Sequence, residues 1–257
     1  MRVLTHDKPK SSVKGCMLVH HAPVKGLCFF AYKRTKEKVK LLEALQDYAG
    51  YLQVDGNVSY EEMGSRNGVT LLNCWAHERR KFDQALDNDK ERASHVLGLI
   101  QQLYAIERHA RDECLDATAI LALRQTESIP ILNELHEWLL IQYDAVLPKS
   151  VISKAIRYTL KRWDALTVYT TEPRLLIDNN PVENLIRPLA LGRKNYLFAG
   201  SHEAAQRTAI FYSLFATCKL NNIEPIGWIK DVLVRLADHP VNRIEELLPL
   251  QGYRMGV

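Results

Sequence analysis

Two carboxylates stand at positions suited to holding a cation or a polar substrate. Asp55 follows the apolar run Tyr51-Leu52-Gln53-Val54 and precedes Gly56. In an open α/β sheet, an acid at the carboxyl end of a strand faces the crevice where ligands bind. Asp-Gly is also a common turn dipeptide, so spacing alone leaves both readings open. Glu183 lies in Asp178-Asn179-Asn180-Pro181-Val182-Glu183-Asn184. If Asn180 is an N-cap and Pro181 the first helical residue, Glu183 falls at the third. From there it bonds back to the Asn180 N–H, a capping box that needs no function. A ligand-binding role is the alternative.

Cys74 and His77, in Cys74-Trp75-Ala76-His77-Glu78-Arg79-Arg80-Lys81-Phe82, have zinc-ligand spacing. A closed zinc site needs four ligands. The nearby candidates, His109 and Cys114, are irregularly spaced. A packed cysteine and a hydrogen-bonded histidine at a strand-to-helix junction is the expectation. Between Asn184 and Leu220 five cations (Arg187, Arg193, Lys194, Arg207 and Lys219) face one acid, Glu203. The run from Leu191 to Gly200 mixes Arg193, Lys194 and Asn195 with aromatics and two glycines. Cations neutralise phosphates and aromatics stack on bases, which suits DNA. A solvated, glycine-flanked loop explains the same composition. The chain has no Walker-type phosphate loop, no G-x-S-x-G elbow and no H-E-x-x-H, so those simple enzyme classes lack support.

The elements that must position these groups read as mixed α/β. Strands at 16–32 flank a Pro23-Val24-Lys25-Gly26 turn, and a helix is expected over 36–49. Strands follow at 51–54 and 69–74, with helical spacing from His77. Over 90–165 the apolar stripes predict three or four helices, broken near Leu115-Asp116 and Pro148. Two more helices, 209–220 and 226–237, are separated by Asn221-Asn222-Ile223-Glu224-Pro225. The 257 residues are 47% hydrophobic and 25% charged, which excludes disordered and collagen-like classes. A net charge of +4 permits a nucleic-acid partner without requiring one. Five scattered cysteines point to free thiols in a reducing cytoplasm. No signal peptide or membrane-spanning stretch is evident.

Taken together, the blocks resemble the insertion sequence 66 family of bacterial transposases. The matching blocks are Gly50 to Gly56, Cys74 to Phe82, Ile177 to Asn184 and Arg187 to Ser201. A tail from Tyr212-Ser213-Leu214 through Leu236-Ala237-Asp238-His239-Pro240 completes the set. The blocks run in the family's order and cover nearly the whole chain. The resemblance implies a ribonuclease-H-like mixed sheet with an all-helical insertion. Its expected parts are 1–89 and 171–205 for the core, 90–170 for the insertion and 206–257 for a C-terminal helical element. It also implies an Asp-Asp-Glu triad that binds two Mg²⁺ ions, with Asp55 as second acid and Glu183 as third. Two such ions ~3.5–4 Å apart activate an attacking oxygen and stabilise a leaving one. Arg187, Arg193, Lys194 and Asn195 are assigned to DNA, and Cys74 and His77 to a structural role. The expected partners are transposon ends, target DNA and a second copy of the chain, in a bacterial, nucleoid-associated setting.

The family's first acid lies in an Asp-Glu-Thr motif just before a segment like Arg2-Val3-Leu4. In this chain that segment begins at Met1, so the first acid is expected upstream of residue 1. Asp7, beside Lys8-Pro9-Lys10, does not match the motif. The chain therefore reads as the C-terminal part of a transposase with impaired catalysis. An inactive DNA-binding or regulatory fragment is the alternative. An unrelated metal-dependent α/β nuclease is a third reading, against which the ordered motif set weighs.

Overall fold

The computed structural model describes residues 1–4, 12–35, 45–56 and 58–256. It divides into two compact units, Met1–Ala44 with Pro181–Val257, and Leu45–Asn180.

The first unit starts with short strands β1 (Arg2–Leu4) and β2 (Ser12–Lys14), then the hairpin β3 (Cys16–Ala22) and β4 (Leu27–Lys33). Gly26 closes the hairpin turn at φ +56°, a left-handed conformation that favours glycine. In β4, Cys28, Phe30 and Tyr32 are buried and alternate with more exposed residues, the period of a strand with one face on a core. Helices α7 (Asn180–Tyr196, all but its first residue in this unit), α8 (His202–Leu220) and α9 (Pro225–Arg235) follow later in the chain, with β7 (Phe198–Ala199) between α7 and α8. Strand β1 pairs antiparallel with β2 and parallel with β7. The core gathers Met1, Val3, Phe30, Tyr32, Leu189 and Ala205.

Helix α8 covers the outer edge of β4 with hydroxyls. Ser213 Oγ accepts the Phe30 N–H at 2.8 Å, Thr217 Oγ1 accepts the Cys28 N–H at 3.2 Å, and Asn221 Nδ2 donates to Gly26 O at 2.8 Å. Four residues of helix advance about 6 Å and two residues of strand about 6.6 Å. The i, i+4 row therefore matches the strand's i, i+2 row over three pairs. The outward backbone groups of Phe30 and Cys28, and the Gly26 carbonyl, are thus satisfied without another strand.

The second unit holds β5 (Gly50–Gln53) and β6 (Val69–Leu72), paired parallel from Gly50↔Val69 to Gln53↔Leu72. Helices α1 (Trp75–Asp83), α2 (Lys90–Asp112), α3 (Ala117–Leu123), α4 (Ile129–Ala145), α5 (Val151–Leu160) and α6 (Trp163–Thr167) follow. One core joins Leu72 and Trp75 with Ile100, Leu103, Leu135, Leu139 and Ile156. Asp89, Asp116 and Ser150 cap α2, α3 and α5 by accepting the N–H three residues on. The expected breaks near Leu115 and Pro148 are in place. A further break at Lys161–Arg162 was not expected, because Thr159 and Trp163 carry the apolar stripe across it.

The mixed α/β class expected from the sequence is observed, as small sheets among many helices. Of the helix expected over 36–49, residues 36–44 lie outside the described residues, and 45–47 form a turn. Asp7 also lies outside them. Among the described residues no helix is long and apolar enough to cross a membrane.

Candidate functional site

Asp55 stands just past the carboxyl end of β5. The Val54 N–H still pairs with Leu72 O at 2.9 Å, Val54 is buried, and Asp55 emerges exposed. Parallel pairing with β6 sends both carboxyl ends to the same side, towards Asn73 and Cys74. The turn after Asp55 is held by Arg162, whose side chain is 7% exposed. Its Nη2 donates to Gly56 O at 3.2 Å and to Glu61 Oε1 at 3.0 Å. Its Nη1 donates to Tyr158 O at 3.2 Å, and its guanidinium lies 3.8 Å over the Tyr158 ring.

Gly56 itself has φ +77°, and a Cβ there would overlap the Tyr158 hydroxyl. Gly56→Ala is therefore expected to lower the stability of this unit by about 1–3 kcal/mol, through both backbone strain and the clash. Thermal melts of the parent and variant chains measure it; equal melting temperatures would show that the turn relaxes freely.

Cys74 leads into α1 at the end of β6. Its buried Sγ accepts the Asn179 N–H at 3.4 Å, and burial pushes its thiol up to about 11. A buried sulfur that accepts a backbone N–H fits packing at the strand-to-helix junction. The His77 N–H turns back to Cys74 O at 3.1 Å. Among the described residues no three His, Cys, Asp or Glu side chains gather as a metal-holding group.

Two buried carboxylates near these motifs escaped the sequence reading. Glu78 is 1% exposed and accepts the Thr159 hydroxyl at 2.7 Å. Burial raises its carboxyl to about 7, against the opposing pull of the Thr159 bond, Arg162 and Lys81. Its signal was the shared face of Trp75, Glu78 and Phe82 at i, i+3 and i+7, which are the buried residues of α1. Asp178 is buried as well. It accepts the Tyr104 hydroxyl at 2.8 Å, the Asn180 N–H at 3.0 Å and Asn180 Nδ2 at 2.6 Å. Burial, then the Asp178 charge, push the Tyr104 hydroxyl upward. Helix α7 begins at Asn180, so the N–H that the capping box gave to Glu183 is received by Asp178.

Glu183 lies in the first turn of α7, partly exposed. Arg187, Arg193, Lys194 and Asn195 are exposed along the same helix. The run expected as a loop from Leu191 is helical to Tyr196 and ends at Leu197, where φ is +58°. Gly192, one of the two glycines flanking that run, carried the loop reading. Pro188 is accommodated inside the helix, and Gly192 serves close packing: a Cβ there would meet the Tyr212 hydroxyl at 2.6 Å. Asp55, Cys74 and His77 thus belong to the second unit. Glu183 and the four DNA candidates belong to the first.

Comparison with known proteins gives a consistent picture. A family model described as "Transposase IS66 family" matches residues 1–207, and one described as "IS66 C-terminal element" matches 213–250. The uncharacterized protein y4hP of Sinorhizobium fredii is 36% identical over 227 residues, covering 82% of this chain and 41% of the relative. The uncharacterized protein y4jD of the same organism is 30% identical over 236 residues, covering 88% of this chain and 45% of that relative. The chain therefore spans less than half the length of these curated relatives. No solved structure matches it significantly.

Proposed function

The chain belongs to the transposase IS66 family, and on that premise we propose that it is the catalytic region of a DNA transposase, acting on transposon ends and target DNA. In this reading residues 1–89 and 171–205 contribute a ribonuclease-H-like core, 90–170 its insertion and 206–257 the C-terminal element. The observation that carries the site assignment is Asp55, exposed at the carboxyl end of a parallel strand pair in a turn held by buried Arg162. That is where open α/β sheets meet their ligands. Asp55 and Glu183 are assigned as acidic ligands, and Arg187, Arg193, Lys194 and Asn195 as contacts to DNA phosphates.

Two Mg²⁺ ions, when bound to a complete acid set, would activate the attacking oxygen and steady the leaving one. The described residues do not gather three acids for such a site. In this reading Asp55 and Glu183 stand for the family's second and third acids, and DNA binding is the activity assigned to these residues. A second reading is a regulatory DNA-binding chain that occupies ends without cutting them, and the exposed cations of α7 serve it equally.

A labelled transposon-end duplex incubated with the purified chain in Mg²⁺ tests both parts. Retarded DNA is expected, and Glu183→Gln should leave affinity unchanged or raise it by removing repulsion. A joined product that vanishes in Asp55→Asn and Glu183→Gln would favour the catalytic reading, and bound DNA with no product the regulatory one. Absence of DNA binding even at low salt would sink the reading itself.

A further inference from the structure

Helix α5 has an inner face that builds the core and an outer face with no assigned role. Ile152, Ala155, Ile156 and Thr159 are buried. Lys154, Arg157 and Lys161, spaced i, i+3, i+7, form one exposed stripe. From Val146 to Trp163 the chain carries five cations, Lys149, Lys154, Arg157, Lys161 and Arg162, and no acid.

Helix α1 packs beside α5 through the Thr159–Glu78 hydrogen bond and through Lys81, whose Nζ lies 5.1 Å from the centre of the Tyr158 ring. It adds exposed Arg79, Arg80 and Lys81 to the same pair of helices. Two of the acids beside this group are already engaged: Glu61 binds Lys161 at 2.8 Å and Arg162 at 3.0 Å, and Glu78 is buried. Lys161 also gains from the helix dipole near the C-terminus of α5. Neither account covers Lys154 and Arg157. Both sit mid-helix, exposed, with no ion pair to a described residue.

We propose that the α1–α5 face is a docking surface for the phosphate backbone of duplex DNA, built from residues other than the cations of α7. The proposal rests on the DNA-acting reading above and extends it to a second surface. Charge complementarity identifies the partner. The stripe from Lys154 to Lys161 rises about 10 Å along the helix, close to three nucleotide steps of one strand. The far end of α5 also leads into Tyr158 and Arg162, which hold the turn after Asp55. A backbone lying along the stripe is thereby led to that turn. Contacts of this kind position DNA and carry no sequence preference.

The test uses the full chain and a fluorescein-labelled 30-base-pair duplex of arbitrary sequence, with anisotropy read across a salt series. For the double variant Lys154→Gln, Arg157→Gln, Kd at ~100 mM salt should rise roughly tenfold or more. The slope of log K against log salt should flatten by about 2, at about 0.9 per lost phosphate contact, and equally on duplexes of different sequence. Both side chains are exposed, so the melting temperature should hold, which separates lost contact from lost fold. The double variant Arg193→Gln, Lys194→Gln is the reference for the α7 cations. If it weakens binding while the α5 variant keeps the parent Kd and slope, the α1–α5 surface is refuted and the DNA reading stands. If the parent chain binds no duplex at low salt, both fall together.

Discussion

Arg124→Met should destabilise the second unit by about 3–5 kcal/mol, the usual loss when one partner of a buried ion pair is removed. Arg124 is 2% exposed and all five of its N–H donors are used. Nε and Nη2 grip Glu107 Oε1 and Oε2 at 2.8 and 2.7 Å. Nη1 donates to Tyr169 O at 2.6 Å and Glu172 O at 3.0 Å, and Nη2 to Leu175 O at 2.9 Å. Methionine fills much of the volume but strands the Glu107 carboxylate and three carbonyls. Lysine cannot replace the planar fork, so Arg124→Lys should recover little. Arg124 also opens the π-helical turn Arg124–Ser128 between α3 and α4, where an extra residue aims the side chain inward. The expected readout is a fall in melting temperature of about 10–20 °C for a unit of this size. A variant melting within about 2 °C of the parent would show that Glu107 and the carbonyls find other partners or water.

The same kind of contact recurs around the acid-bearing segments of the second unit. Arg124 from the helical run holds the carbonyls of 169–175, just before Asp178. Tyr104 from α2 holds Asp178 itself, and Arg162 at the end of α5 holds the turn after Asp55. The helices from 90 to 167 therefore share one unit with β5 and β6, and they set the backbone on which Asp55 sits.

What the sequence made legible was local. The helices over 90–165 follow from apolar stripes at three- and four-residue steps, and the breaks near Leu115-Asp116 and Pro148 from their polar and proline residues. The β3–β4 hairpin follows from apolar runs around a Pro-to-Gly turn, and Asp55 from a strand that ends in Asp-Gly. What stayed hidden was the burial of charge, because the partners that permit it are remote. Thr159 lies 81 residues from Glu78, and Tyr104 lies 74 residues from Asp178. In Glu78-Arg79-Arg80-Lys81 the acid reads as surface until the Trp75–Phe82 face is seen to be buried. Helix α7 misled for a related reason. Gly192 is a breaker by propensity and read as flanking a loop, but packing against Tyr212 uses its missing Cβ.

Glu78→Gln should stabilise the chain at alkaline pH and leave it unchanged in acid. The folded carboxyl titrates at about 7, raised by burial from an ordinary 4.5. Below the unfolded value both states are protonated and the buried group carries no penalty. As pH rises from 4.5 through 7 the unfolded chain releases its proton first, so the contribution of neutral Glu78 to stability is lost over that window. A shift of this size corresponds to about 3 kcal/mol at most once ionisation is complete, because each unit is worth about 1.4 kcal/mol. Glutamine keeps an oxygen to accept the Thr159 hydroxyl and never ionises. The groups facing Glu78, namely Thr159, Lys81 and Arg162, are unchanged in both chains. Comparing the two melting temperatures at each pH therefore isolates the carboxyl. The expected gap is near zero at pH 4 and opens to about 5–10 °C in favour of the variant at pH 8. A gap that stays constant from pH 4 to pH 8 would mean that Glu78 ionises in the folded chain as readily as in water. The Lys81 and Arg162 charges would then outweigh burial, and the basic α1–α5 pair would be balanced from within by an ionised acid.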